Sequence, residues 1–133
     1  MKVYSGEKTI KTITEDRHII DTRTPLFLAY VDGVPLDSKI VTPRSRTKFR
    51  AFAWGYPGFL PKNLAVSILA DCLDIVDVND FRYSLEAAYV LNKFYYEYVC
   101  RETSNKWVIT EDVLLEYIDK RADEYASMDW SKQ

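Results

Sequence analysis

Apolar residues fall in short runs before Trp54 and at helical spacing after it. Val3 and Tyr4, then Lys8 to Ile13, predict short strand segments. Residues 14–25 are polar and end at Pro25, which predicts a loop. Leu26 to Val31 is a continuous apolar run, too short for a helix, and predicts a strand. Asp32-Gly33 predicts a hairpin turn, because both residues tolerate positive φ. Val34-Pro35-Leu36 through Ile40-Val41 is expected to return as the partner strand. Pro35 cannot donate a ladder bond, so that partner belongs at a sheet edge. Lys48 to Trp54 predicts a further strand.

Helical spacing follows. Pro61 suits the first turn of a helix, and Leu64, Ala65, Ile68, Leu69 and Cys72 make one apolar face that should end near Val76. Asn79 or Asp80 is expected to cap a second helix. Phe81, Leu85, Ala88, Asn92, Tyr95 and Val99 repeat along it, broadened by Tyr89, Leu91 and Tyr96, as far as about Arg101. Thr103-Ser104-Asn105 reads as a loop and Trp107 to Ile109 as a short strand. Thr110 is expected to cap a third helix carrying Val113, Leu114, Tyr117, Ile118 and Ala122, with Glu111 and Asp112 at its positive end. The tail from Ser127 is polar apart from Trp130 and is expected to fray. The fold class is therefore α+β: a single domain over 1–133, its core about residues 2–125, with an N-terminal antiparallel sheet packed by two or three helices.

The densest stretch is Phe52 to Pro61. Trp54 and Tyr56 are expected to anchor the sheet to the helix, with Gly55 and Gly58 making the corner and Pro61 opening the helix. The competing reading is an anion site, in which Gly55, Gly58 and Lys62 bring backbone N–H groups and charge to the helix N-terminus. No complete nucleotide-binding fingerprint accompanies it.

Gly33-Val34-Pro35-Leu36, Phe52, Trp54-Gly55-Tyr56, Gly58, Pro61, Leu64-Ala65, Ile68-Leu69, the stretch Asn92 to Tyr95, and Trp107-Val108-Ile109-Thr110 together resemble an uncharacterised family. Its members are small proteins of bacteria and their phages, defined only as a domain of unknown function. The resemblance spans about residues 26–118 and departs at Phe59-Leu60, where the family has a small residue and glycine. It implies a consistent fold and no assigned activity. It also implies a phage or mobile-element context, and hence an accessory protein that docks on another protein, such as an inhibitor of a host defence component.

Charge sharpens the picture. Residues 1–37 carry a net −1, residues 38–70 a net +6 and residues 71–133 a net −7. Arg44, Arg46, Lys48 and Arg50 alternate, so an extended chain sets them on one face, and Phe52 and Trp54 would continue it. Such a face suits a protein partner with an acidic surface or, as the alternative, nucleic acid held by phosphate contacts and stacking. Asp71, Asp74, Asp77 and Asp80 recur every third residue but lack a histidine partner, so they read as a solvated helix end and a cap, with no metal expected. His18 is the single histidine and has no nucleophile signature near it. Tyr89, Tyr95, Tyr96 and Tyr98 read as packing, with any exposed ring a candidate interface anchor. Cys72 and Cys100 read as buried thiols of a reducing compartment. No stretch suits a membrane span or a signal peptide, so the expected address is the cytoplasm.

These observations point to a non-catalytic binding protein, not an enzyme, without cofactor or metal. It is expected to act by protein–protein docking through Arg44, Arg46, Lys48, Arg50 and Lys62. The alternative is nucleic-acid or phosphate-ligand binding through residues 44–50 and the helix N-terminus at 58–63.

Overall fold

The computed structural model describes residues 1–9, 13–15, 18–20, 26–40, 51–76 and 84–128, with the backbone course alone at 13–15 and 18–20. Nine elements follow in order: β1 (Val3–Thr9), β2 (Ile13–Glu15), β3 (His18–Ile20), β4 (Leu26–Val31), β5 (Val34–Pro35), α1 (Phe59–Cys72), α2 (Leu85–Phe94), β6 (Lys106–Thr110) and α3 (Glu111–Ala126). The main sheet is antiparallel in the order β5-β4-β1-β6, and β2 and β3 pair apart from it. The fold is α+β, with three helices against a mainly N-terminal sheet.

The turn at Asp32-Gly33 joins β4 to β5, and both residues have positive φ (50° and 79°). Pro35 lies on the edge strand, where its missing N–H costs nothing. The return is shorter than the alternation suggested: its last bond to β4 runs from Leu36 N–H to the Ala29 carbonyl (2.9 Å). Segment 14–25 is not wholly loop, since β3 and most of its hairpin partner β2 fall within it.

The N-terminal strand is one continuous element. Tyr4 and Gly6 face Ile109 and Trp107 across the ladder, so β6 completes the sheet from the far end of the sequence. Gly6 lets the Trp107 indole lie on β1: a Cβ there would sit 2.3 Å from the ring.

Ala51 to Trp54 is not the strand the sequence predicts. All four residues are buried and none pairs in a sheet. The segment is packed on every side, so in-and-out alternation never applies. Residues 48–50 lie outside the described set.

Helix α1 differs too. A single apolar face is predicted, yet Asn63 through Ala70 are all buried. Two of these are polar and fully paired. Asn63 donates to the Ser38 hydroxyl (2.8 Å) and the Ala51 carbonyl (2.9 Å), while its own carbonyl oxygen accepts from Ile40 N–H (3.3 Å) and Ser67 (3.2 Å). Ser67 accepts from Lys39 N–H (3.0 Å). This clasp ties residues 38–40 and 51 to the central helix.

Ser84 caps α2, accepting from Ala87 N–H; the expected caps Asn79 and Asp80, and Phe81, lie outside the described residues. After Phe94 the helix widens into a π turn over Tyr95–Val99, where Cys100 N–H donates to the Tyr95 carbonyl (2.9 Å). The extra residue rotates the stripe. Leu91, Phe94, Tyr95 and Val99 are buried, while Asn92 and Leu85 are exposed. Thr110 caps α3 as predicted, accepting from Val113 N–H (3.4 Å). Trp130 lies outside the described residues.

Candidate functional site

The corner at Trp54 is built from contacts distant in sequence. Its indole is 3 % exposed, meets Phe27 and Trp107 edge-on at 4.8 and 5.6 Å, and donates to the Ser104 carbonyl (3.0 Å). Gly55 N–H donates to the Val99 carbonyl (2.9 Å). Its φ of 90° and the Glu102 carbonyl, 2.9 Å from where a Cβ would stand, leave room for glycine only. Phe52 is buried beside α1. Tyr56 is not an anchor, because its ring is 45 % exposed.

At the helix N-terminus proposed for anions, Gly58 and Lys62 are engaged within the chain. Gly58 N–H donates to the Tyr95 hydroxyl (2.7 Å), and Pro61 offers no N–H. Lys62 stands 4.7 Å over the Tyr95 ring and donates to the Asn92 carbonyl oxygen. Burial lowers its pKa, so the ammonium is held by these partners at the expense of hydration. Arg44, Arg46, Lys48 and Arg50 lie outside the described residues. Phe52 and Trp54, placed on their stacking face by the sequence, are buried and cannot stack on a base.

Other chemistry-bearing side chains serve packing. Asp71 accepts from the Tyr4 hydroxyl (2.6 Å) and pairs with Lys2 (3.4 Å). Burial, reinforced by Asp71, holds the Tyr4 hydroxyl far above its ordinary range. Asp74 approaches Lys2 at 3.9 Å; Asp77 and Asp80 lie outside the description. Among the described residues no group of histidine, cysteine and acid side chains is placed to hold a metal. Cys72 is buried and Cys100 half-buried, both as free thiols. The side chain of His18 is outside the description. Arg121 forks onto both oxygens of Glu97 (2.7 and 2.6 Å) and reaches Glu124 (2.6 Å). Glu124 also accepts from Tyr89, and that bond, ahead of Arg121, holds its carboxyl low. No described helix is long and apolar enough to cross a membrane.

One feature was invisible to periodicity. A cavity of about 320 Å³ opens between α1, the π turn, β6 and the first turn of α3. Leu64, Ile68 and Phe94 form its depth, and Trp54 and Trp107 flank it. Tyr98 (41 % exposed), Val108 (69 %) and Val113 (47 %) stand at its rim. Its few polar members are mostly engaged. Glu102 accepts from Ser104 N–H (2.9 Å), and Thr110 caps α3. The Trp107 indole N–H is buried and has no hydrogen-bond partner among the described residues. Tyr98 and Val99 of the π turn line the space. Trp107-Val-Ile-Thr was legible as strand and cap; that it faces a hollow was not.

No family model, no curated protein and no solved structure matches this chain.

Proposed function

We propose that this chain is a non-catalytic binding protein that docks on another protein through the groove between β6, α3 and the π turn. One observation carries the reading: two exposed apolar side chains, Tyr98 and Val113, and the edge of β6 at Val108 border a cavity of about 320 Å³ walled by two tryptophans. Isolated surface apolar residues are ordinary, but a contiguous set around a hollow is how interfaces seat an aromatic or aliphatic anchor.

The groove replaces the basic segment as the favoured surface. An acidic partner for Arg44, Arg46, Lys48 and Arg50 remains a separate expectation from sequence. The phage or mobile-element setting, with inhibition of a host defence component, rests on the motif resemblance alone.

The test is affinity capture with the tagged chain and with Val113→Asp and Tyr98→Ala variants. A partner held by the native chain should be lost from both variants while their circular dichroism is unchanged. A partner retained by both takes the groove out of the interface.

A further inference from the structure

We infer that the groove takes an extended, basic peptide segment of the partner, added as a fifth strand along the open edge of β6. This deepens the docking reading and rests on it. The sheet order leaves β6 with β1 on one side and, among the described residues, no strand on the other.

The register shows which backbone groups are free. Lys8 N–H donates to the Asn105 carbonyl (2.7 Å) and Glu111 N–H to the Lys2 carbonyl (2.8 Å). Inward-facing residues alternate along an antiparallel ladder, so Trp107 and Ile109 also turn their backbone to β1. Lys106 and Val108 therefore turn N–H and C=O outward, and so does the N–H of Thr110. No described residue takes these groups. Exposed edges of this kind are templates for strand addition.

The edge and the cavity work together. Trp107 and Ile109 carry their side chains on the helix face of the sheet, while Val108 carries its own on the opposite face. Val108 nonetheless borders the cavity, so the hollow reaches the strand's edge. A peptide residue opposite Val108 would pack its side chain beside Val108. The residues before and after it would project on the helix face, towards the cavity. Alternation thus selects a peptide with apolar residues flanking the central position.

Charge selects its ends and its source. Helix α3, which starts at the cavity rim, carries Glu111, Asp112, Glu116, Asp119, Asp123 and Glu124 against Lys120 and Arg121. Arg121 is paired with Glu97 and Glu124, which removes Glu124 from the count as well, and Lys106 on β6 offsets one of the remaining acids. Glu102 adds a further acid at the cavity. A second copy pairing β6 to β6 would set two such acidic helices on one face of a continuous sheet, which disfavours it. A partner segment rich in lysine or arginine gains from the same field.

The test selects a displayed library of random peptides about ten residues long on the full chain. Enriched peptides should carry apolar residues at alternate positions and basic flanks. Methylating their backbone nitrogens one at a time should weaken binding about tenfold or more at every second position only, since alternate N–H groups face β6. Val108→Pro should weaken binding by a similar factor. Its N–H points away from β1, so the substitution spares the native ladder. The methylation scan leaves the protein untouched and decides the matter even where that variant misfolds. A library yielding no binder, a scan without two-residue periodicity, or a native dimer that Val108→Pro dissolves overturns the inference. A captured partner that is lost with Val113→Asp and kept with Val108→Pro leaves the docking reading standing and removes strand addition.

Discussion

Two aromatic regions of this molecule meet at Trp54 and behave oppositely. On the α1 side, the described buried polar side chains are matched. Trp54 donates to Ser104, Asn63 makes bonds in four directions, and Gly58 N–H meets the Tyr95 hydroxyl. On the β6 side, Tyr98, Val108 and Val113 stand in solvent, and the Trp107 indole N–H is buried with no hydrogen-bond partner among the described residues. The residue types are similar, so composition does not separate the two regions. Satisfaction of polar groups and closure of packing do. A region that is matched and closed stabilises the fold; one left open has surface to offer a partner.

The comparison breaks first at Trp54. Trp54→Ala should cost about 3–5 kcal/mol, because a buried indole leaves a cavity that its neighbours cannot fill. Urea unfolding measures it, and a loss of a few tenths would mean that the corner belongs to the open region. Next comes Asn63→Ala, expected to cost about 1–3 kcal/mol, since it takes a buried donor from the Ala51 carbonyl and a buried acceptor from the Ser67 hydroxyl. A cost below about 1 kcal/mol would show that the clasp is replaceable by water.

Gly6→Ala probes the seam between the regions. The added methyl must displace the Trp107 ring, so a cost of about 1–3 kcal/mol is expected, with a shift in tryptophan fluorescence. The same substitution should lower partner or peptide binding, since Trp107 walls the cavity. Unchanged fluorescence would place the indole elsewhere.

The smallest effects belong to the open side. Val113→Asp should change stability by no more than about 0.5 kcal/mol, because the side chain is half-exposed and an acid suits the first turn of α3. Tyr117→Phe should cost no more than about 1 kcal/mol at neutral pH, because the hydroxyl meets the Arg121 guanidinium only outside good hydrogen-bond geometry. Its signature is in alkali. Burial pushes this hydroxyl up to about 12, against the pull of the neighbouring Arg121. The folded chain therefore keeps a proton that the unfolded chain releases near pH 10. That contribution is complete below about pH 10 and is lost as pH climbs towards about 12. Tyr117→Phe should flatten the fall in stability over this window, and an unaltered alkaline limb would assign it to other groups such as Tyr4.

Much of this architecture was written in local pattern. The Asp32-Gly33 turn, the edge position of Pro35 and the Thr110 cap each depend on a few adjacent residues whose backbone preferences suffice. Helices α1 and α3 announced themselves by spacing, and so did the apolar runs of β4 and β6. The corner at Trp54 was visible as a cluster of aromatics and glycines. A polar pair at Asn63 and Ser67, four apart in an apolar helix, was a signal for the buried clasp that periodicity alone passes over.

Contacts between distant segments decided the remainder. Gly6 is an unremarked strand residue until Trp107, a hundred positions away, lies on it. Ala51 to Trp54 alternates like a strand in sequence, yet α1 and the sheet enclose it on all sides. The π turn shifts the helix stripe by one residue, and its Tyr98 and Val99 line the hollow beside β6. Local pattern sets what each segment prefers, because propensity and capping act within a turn or two. Which faces close and which stay open depends on volumes that meet only in three dimensions, and the groove exists because one of those meetings is incomplete.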